Sequence, residues 1–202
     1  MKVFKILIFC AIIPLSCFSQ DDDFQTIFKK KDDKRLRISG FGGPVMIFTS
    51  TGNDFAHMMG GYAAVIVGNT FFGGYGMGKT NKTPFKGNNE YNLNFGHGGL
   101  MFGAVAGYKK PVHFSFSSLI GWGSISESLS LPDFESENIN SYPVFVITPV
   151  IELEFNFSRY FVLGAGTSVS YVTGRGITDT DYTREDFFKP AVFMSFKFGW
   201  FK

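Results

Sequence analysis

The chain has 202 residues, with 19 basic side chains against 17 acidic ones, 24 glycines and 26 phenylalanines, and 18% of it is aromatic although only 45% is hydrophobic. No run of about 20 apolar residues exists beyond the N-terminal stretch, which excludes a helical membrane protein; the near-zero charge, without a basic patch, excludes a nucleic-acid partner. Glycine lies well above the usual level of about 7%, and residues 55–78 and 91–108 carry no charge at all. Charge-poor strands of this kind cannot leave bare backbone edges in lipid and must close on themselves.

The N-terminus reads as an export signal. Lys2 and Lys5 precede an apolar run over 6–15, and the small residues Ser16 and Ser19 suit cleavage next to Gln20. The run is too short for a membrane helix, so 1–19 is expected to be a signal peptide; acylation at Cys17 is the alternative. Cys10 and Cys17 are the only cysteines, so a chain starting at Gln20 holds no disulfide. Residues 20–35 form a charged periplasmic N-terminal segment whose composition predicts disorder. Phe24, Ile27 and Phe28 have helical spacing, so the alternative there is a short helix capping a barrel mouth.

Residues 36–202 are expected to form the barrel, with strands at 36–49, 56–68, 70–80, 91–108, 112–126, 142–156, 160–173 and 187–201. Each is long enough for the 9 to 11 residues with which a tilted strand crosses a bilayer. The period of two is clearest at the C-terminal end. There Phe145, Ile147, Pro149, Ile151, Leu153, Phe155 and Phe157 oppose Thr148, Val150, Glu152, Glu154 and Asn156. Next, Phe161, Leu163, Ala165, Val169 and Tyr171 oppose Gly164, Gly166, Ser168 and Ser170, and then Val192, Met194, Phe196, Phe198 and Trp200 oppose Ala191, Ser195, Lys197 and Gly199. In 56–68 both faces are apolar or small, so the pattern there selects no outward set. Gly40, Gly42, Gly43 and Pro44 suggest a bend or bulge in the first strand. An interior just wide enough for side chains predicts a filled, polar lumen, with glycines 74, 76, 78, 99, 103, 107, 121, 123, 164 and 166 at crowded inward positions. Joints at 68–70, 109–111 and 157–159 are tight, whereas 81–90, 127–141 and 174–186 are long and polar. That asymmetry places both termini in the periplasm.

The closing segment Ala191-Val-Phe-Met-Ser-Phe-Lys-Phe-Gly-Trp-Phe201, with the hairpin rhythm over 36–202, resembles the small outer-membrane β-barrel proteins of the OmpA and OmpX type. The resemblance implies an all-β, closed eight-stranded antiparallel transmembrane β-barrel in the outer membrane. It implies outer-membrane lipids, the barrel-assembly machinery and a surface ligand as partners. Phe196, Phe198 and Trp200 fill the outward aromatic positions of the strand that such machinery reads, although this chain ends in Lys202 instead of Phe. Barrels of this type serve as anchors, adhesins, immune-evasion factors and occasional enzymes, so the fold does not fix the function.

Several motifs compete with this reading. Gly73-Gly-Tyr-Gly-Met-Gly78-Lys79-Thr80 matches a phosphate-binding loop, but Asn81-Lys82-Thr83-Pro84 follows where that chemistry needs a helix N-terminus. His113 and Ser115 share a face and would suit hydrolysis of lipid, yet no carboxylate lies nearby in sequence; a hydrogen-bonded lumen pair is the simpler reading. His57, His97 and His113 lack ligand spacing, and Asp179, Asp181, Glu185 and Asp186 lack the order of a calcium loop, so no cofactor or metal is expected. Glu127, Asp133, Glu135 and Glu137 face a neighbouring loop with Lys79, Lys82 and Lys86 against Glu90, which predicts attraction between loops. Glu152, Glu154 and Lys197 fall on inward positions, with Arg37 as a further partner, and predict a buried ionic network because a lone buried charge is costly. The expected role is structural or surface-interacting through the long loops; a lipid-modifying enzyme and a narrow channel are the alternatives.

Overall fold

The computed structural model describes residues 38–51, 54–81, 84–85, 88–108, 110–129, 138–178 and 183–201. The expected signal peptide, the charged N-terminal segment and Arg37 lie outside them. The strands are β1 (Ile38–Thr51), β2 (Asp54–Val67), β3 (Thr70–Lys79), a short β4 (Pro84–Phe85), β5 (Asn88–Ala106), β6 (Val112–Leu129), β7 (Asn138–Ser158), β8 (Phe161–Val169), β9 (Tyr171–Gly174) and β10 (Pro190–Gly199). Two single-turn helices, α1 (Arg175–Thr178) and α2 (Arg184–Phe187), follow β9.

Every neighbouring pair is antiparallel, and the sheet closes into a ring of eight strands because β1 pairs with β10 and β3 pairs with β5. Closure removes the exposed edge that an open sheet would present. The ring has a turn end, where β2 passes to β3 through Gly68 and Asn69, and a loop end with the longer connections. Gly68 has φ 64°, which a two-residue hairpin turn requires.

Proline explains two of the places where the ladder skips; register shifts also fall between Glu127 and Ser128 and between Asn156 and Ser158. β1 keeps one register against β2 along its whole length, so the expected bulge at Gly40–Pro44 is absent. Against β10 the pairs resume in the same register on either side of Gly43 and Pro44; Pro44 has no N–H to donate. The expected strand 160–173 is divided into β8 and β9, yet both pair with β7 in one continuous register around Pro149.

The alternation settles what the sequence left open on β2. Tyr62 and Ala64 are buried inward, and Ala63, Val65 and Val67 face outward. It also reverses one expectation. On β3 the buried residues are Phe71, Tyr75 and Met77, so Gly73 points inward and Gly74, Gly76 and Gly78 point outward. Gly107 sits in the turn before β6 at φ 79°. Of the glycines expected inside, 99, 103, 121, 123, 164 and 166 take inward parity. Gly121 shows the reason: a Cβ there would stand 2.8 Å from the Tyr75 hydroxyl.

The interior is apolar over most of its length, not polar as expected. Val45, Ile47, Met58, Met77, Leu93, Met101, Leu119, Ile125, Val146 and Val172 belong to one buried cluster. β5, β6 and β7 extend past the expected strand ends, to Asn88, Leu129 and Asn138, and just inside those ends Leu93 and Ile125 are fully buried. At the loop end, α2 sets Phe187 into this cluster, 6% exposed, with its ring 5.3 Å from that of Phe95. The chain thereby fills its own mouth. Phe187→Ala is expected to lower the unfolding free energy in urea by about 3 kcal/mol, a typical large-to-small core cost, whereas Phe188→Ala, on an exposed neighbour, should change it little.

Candidate functional site

The charged side chains inside the barrel gather toward the turn end. On β7, Glu152 and Glu154 take successive inward positions, and Lys197 does so on β10; β8 lies between the two strands. The lysine spans β8 because Gly164, opposite both Glu154 and Ser195, has no side chain. A Cβ on Gly164 would collide with the Ser195 hydroxyl and the Glu152 carboxylate.

Lys197 Nζ donates to Glu152 Oε2 at 2.9 Å and to Glu154 Oε1 at 2.5 Å. All three side chains are at least 95% buried. Ser195 Oγ donates to the other oxygen of Glu152 at 2.5 Å, and Ser115 Oγ reaches Glu152 Oε2 at 3.4 Å. His113 Nε2 lies 2.9 Å from Glu154 Oε2, and its Nδ1 lies 3.3 Å from the Lys110 carbonyl. Every carboxylate oxygen therefore has a partner. On its other side the ammonium faces three aromatic rings, with centroids at 5.4 Å for Phe41, 6.0 Å for Tyr62 and 5.8 Å for Phe71. Those π-faces attract a cation and keep water from the pair. The Tyr62 hydroxyl is buried beside the cluster without a hydrogen-bond partner among the described residues.

The structure brings Glu152, Glu154 and Lys197 into one network and leaves Arg37 outside the described residues. Sequence reasoning missed Ser115, His113 and Ser195 as members. Their signal is cross-strand register: His113 stands opposite Glu154, Ser115 opposite Glu152. This corrects the reading of His113 and Ser115 as a pair. Each bonds a glutamate on the next strand, and the carboxylates absent nearby in sequence are supplied by β7. Both side chains are buried, so neither presents a nucleophile or a base to a substrate outside the barrel.

The other motifs disperse. The glycine-rich match at 73–80 is strand β3 and its end, and the next described element is the short strand β4, not a helix whose N-terminus could cradle a phosphate. His97 is buried on β5 and pairs with the Tyr75 hydroxyl at 3.1 Å, while His57 stacks on Phe48 with centroids 4.7 Å apart and meets Thr80 Oγ1 at 2.8 Å. Among the described residues no cluster of His, Cys, Asp or Glu could hold a metal ion. Asp186 receives the backbone and side-chain hydrogen bonds of Thr183 at 2.8 and 2.9 Å as a helix cap; Asp179 and Asp181 lie outside the described residues, as do most of the charges expected to attract between loops. Phe196, Phe198 and Trp200 share the outward face of the last strand and its end, with Phe198 and Trp200 exposed.

No family model matches the chain, and no curated protein does. Among solved structures it is similar to Neisserial surface protein A, with a TM-score of 0.53 and 8% identity, over 82% of this chain and 97% of that one. At that identity the likeness is one of fold: a closed antiparallel barrel of eight strands.

The network yields an order of stabilities. Lys197→Met alone orphans two buried carboxylates and should cost about 3 to 5 kcal/mol, whereas the triple replacement Lys197→Met, Glu152→Gln, Glu154→Gln should be less harmful because no buried charge remains unpaired. Equilibrium unfolding of the refolded barrel compares the two.

Proposed function

We propose that this chain is an outer-membrane β-barrel with a structural or surface-interaction role, anchored by its wall and presenting its loop end outside. The observation that carries the reading is the apolar face that the wall turns outward. Glu152, Glu154 and Lys197 point inward, while the outward positions hold Val65, Phe72, Leu100, Phe102, Phe116, Trp122, Ile151 and Phe198, all exposed. A barrel built for water would carry polar side chains at those outward positions, because contiguous exposed apolar surface of this extent marks contact with lipid or protein.

Aromatic side chains add the two girdles expected of a bilayer-spanning barrel. At the turn end stand Phe157, Phe161, Tyr160, Phe198 and Trp200, with Phe161 and Phe198 stacked at 5.0 Å. Toward the loop end stand Phe48 and Phe55, stacked at 6.5 Å, and Trp122 with Phe145 at 5.5 Å. The short turns and the end of β10 then lie in the periplasm. Phe196, Phe198 and Trp200 are read by the barrel-assembly machinery, outer-membrane lipids cover the belt, and a surface ligand meets the loops. The name of the structural neighbour, a surface protein, fits that role. The packed apolar lumen and the seated Phe187 favour neither a channel nor an internal active site.

The decisive substitution lies at mid-strand on the outward face. Ile151→Arg should destabilise the barrel in liposomes by roughly 2 to 4 kcal/mol, the cost of a cation at the bilayer midplane, Leu163→Arg, one outward position from Phe161, by less, and Ser168→Ala, inward on β8, should be mild. Equal stability of the Arg variants and the parent would sink the membrane reading. The same preparation should carry no steady conductance across planar bilayers, since eight strands enclose only side chains.

A further inference from the structure

The wall formed by β5, β6 and β7 changes character at the loop end. Its outward rows are set by register. Gly98 stands opposite Trp122, which stands opposite Phe145; one row further, Gly96 stands opposite Ser124 and Pro143; beyond that, Asn94 stands opposite Ser126 and Ser141. Asn94 Nδ2 donates to Ser128 Oγ at 2.9 Å. Below Trp122 the outward residues are Leu100, Ile120 and Ile147, which continue the apolar belt. No charged side chain occupies an outward position from 92 to 100 on β5, from 120 to 126 on β6 or from 141 to 147 on β7.

Trp122 is 66% exposed. Phe145 leans on it from the β7 side, and on the β5 side the paired neighbour is Gly98, so among the described residues no cross-strand side chain covers the indole there. The result is an aromatic shelf beside a floor without side chains, rimmed by amides and hydroxyls and standing directly on the apolar belt. A phosphate-reading surface would need Lys or Arg. This one offers a π-face for the C–H face of a flat ring together with neutral donors and acceptors for its hydroxyls.

We propose that this wall docks the uncharged sugar headgroup of a glycolipid, stacked on Trp122 over Gly96 and Gly98 and hydrogen-bonded by Asn94, Ser124 and Ser126, with its acyl chains lying along Leu100, Ile120 and Ile147. The proposal rests on the membrane reading above and names a lipid class for it. Continuity of the shelf with the belt selects a membrane-held sugar over a soluble one.

The chain has two tryptophans, so Trp200→Phe leaves Trp122 as a lone reporter. The protein is refolded into vesicles of phosphatidylcholine alone, with added monoglucosyl diacylglycerol, or with added phosphatidylglycerol, and Trp122 emission is recorded. A saturable blue-shift is expected with the glucosyl lipid only. Gly96→Leu should abolish the shift while preserving folding, because a Cβ there meets its nearest atoms at ordinary distances of 3.5 and 3.8 Å and its side chain would fill the floor. No shift with the glucosyl lipid, an equal shift with phosphatidylglycerol, or a shift that survives Gly96→Leu overturns the proposal and reduces Trp122 to a general interfacial anchor. A shift that follows protein concentration instead assigns the wall to a second copy and overturns it too. Co-flotation with vesicles after an alkaline wash is read in parallel: protein that stays inserted without the shift refutes the sugar site alone, and protein that fails to co-float refutes the membrane reading itself.

Discussion

Closure of the sheet is the constraint from which the rest follows. Once β1 pairs with β10 and β3 with β5, every long strand has two neighbours, and the wall can face a medium that offers its backbone no hydrogen bonds. Eight strands also fix how little space lies inside. Each inward residue must then be matched in size by its neighbours. Tyr75 is accommodated because Gly99 and Gly121 stand next to it, and Lys197 reaches β7 because Gly164 lies between. Pro44 and Pro149 interrupt ladders without shifting the register, so closure survives them.

Inside that space the charged groups are concentrated. A single cluster of Lys197, Glu152, Glu154, His113, Ser115 and Ser195 sits toward the turn end beneath three aromatic rings, and most of the remaining interior is hydrocarbon. Buried ion pairs add little stability over apolar packing, because desolvation offsets their attraction. Their consequence is specificity of register. A shift of β10 against β8 by one residue would turn Lys197 outward and leave two carboxylates unpaired, which penalises that misfolded ring far more than the pairing stabilises the native one. At the other end, α2 and Phe187 complete the apolar fill, so the molecule closes with its own residues.

Much of this was legible in the chain, and the reasons are physical. Period-two alternation is strong where one face is bulky and the other small or polar, as in β7, β8 and β10, and there the inward set could be assigned. Strand ends were harder. β6 and β7 run on past the expected ends because Glu127 and Ser128 still pair with Asn140 and Asn138, so polar residues there do not end the ladder. The direction of the β3 glycines failed for a related reason: glycine carries no facing signal, and the crowding of a narrow lumen was taken to place them inward. His113 and Ser115 looked like a pair because two residues apart on a strand means the same face, whereas their partners lie across the sheet, where only register reveals them. Glu152 and Lys197 were readable because charges in an otherwise apolar strand demand each other.

The central claim is that the outward face meets lipid and the inward face does not. Residues 21–202 contain no cysteine, so single cysteines can be introduced at Leu163 and Ile151 on the outward face and at Ser126 above the belt, and each variant can be refolded into vesicles and treated with a membrane-impermeant maleimide. The account predicts rapid labelling at 126, and protection at 163 and 151 that is lost only when detergent is added after unfolding. Labelling of 163 and 151 in intact vesicles at the rate seen for 126 would contradict it.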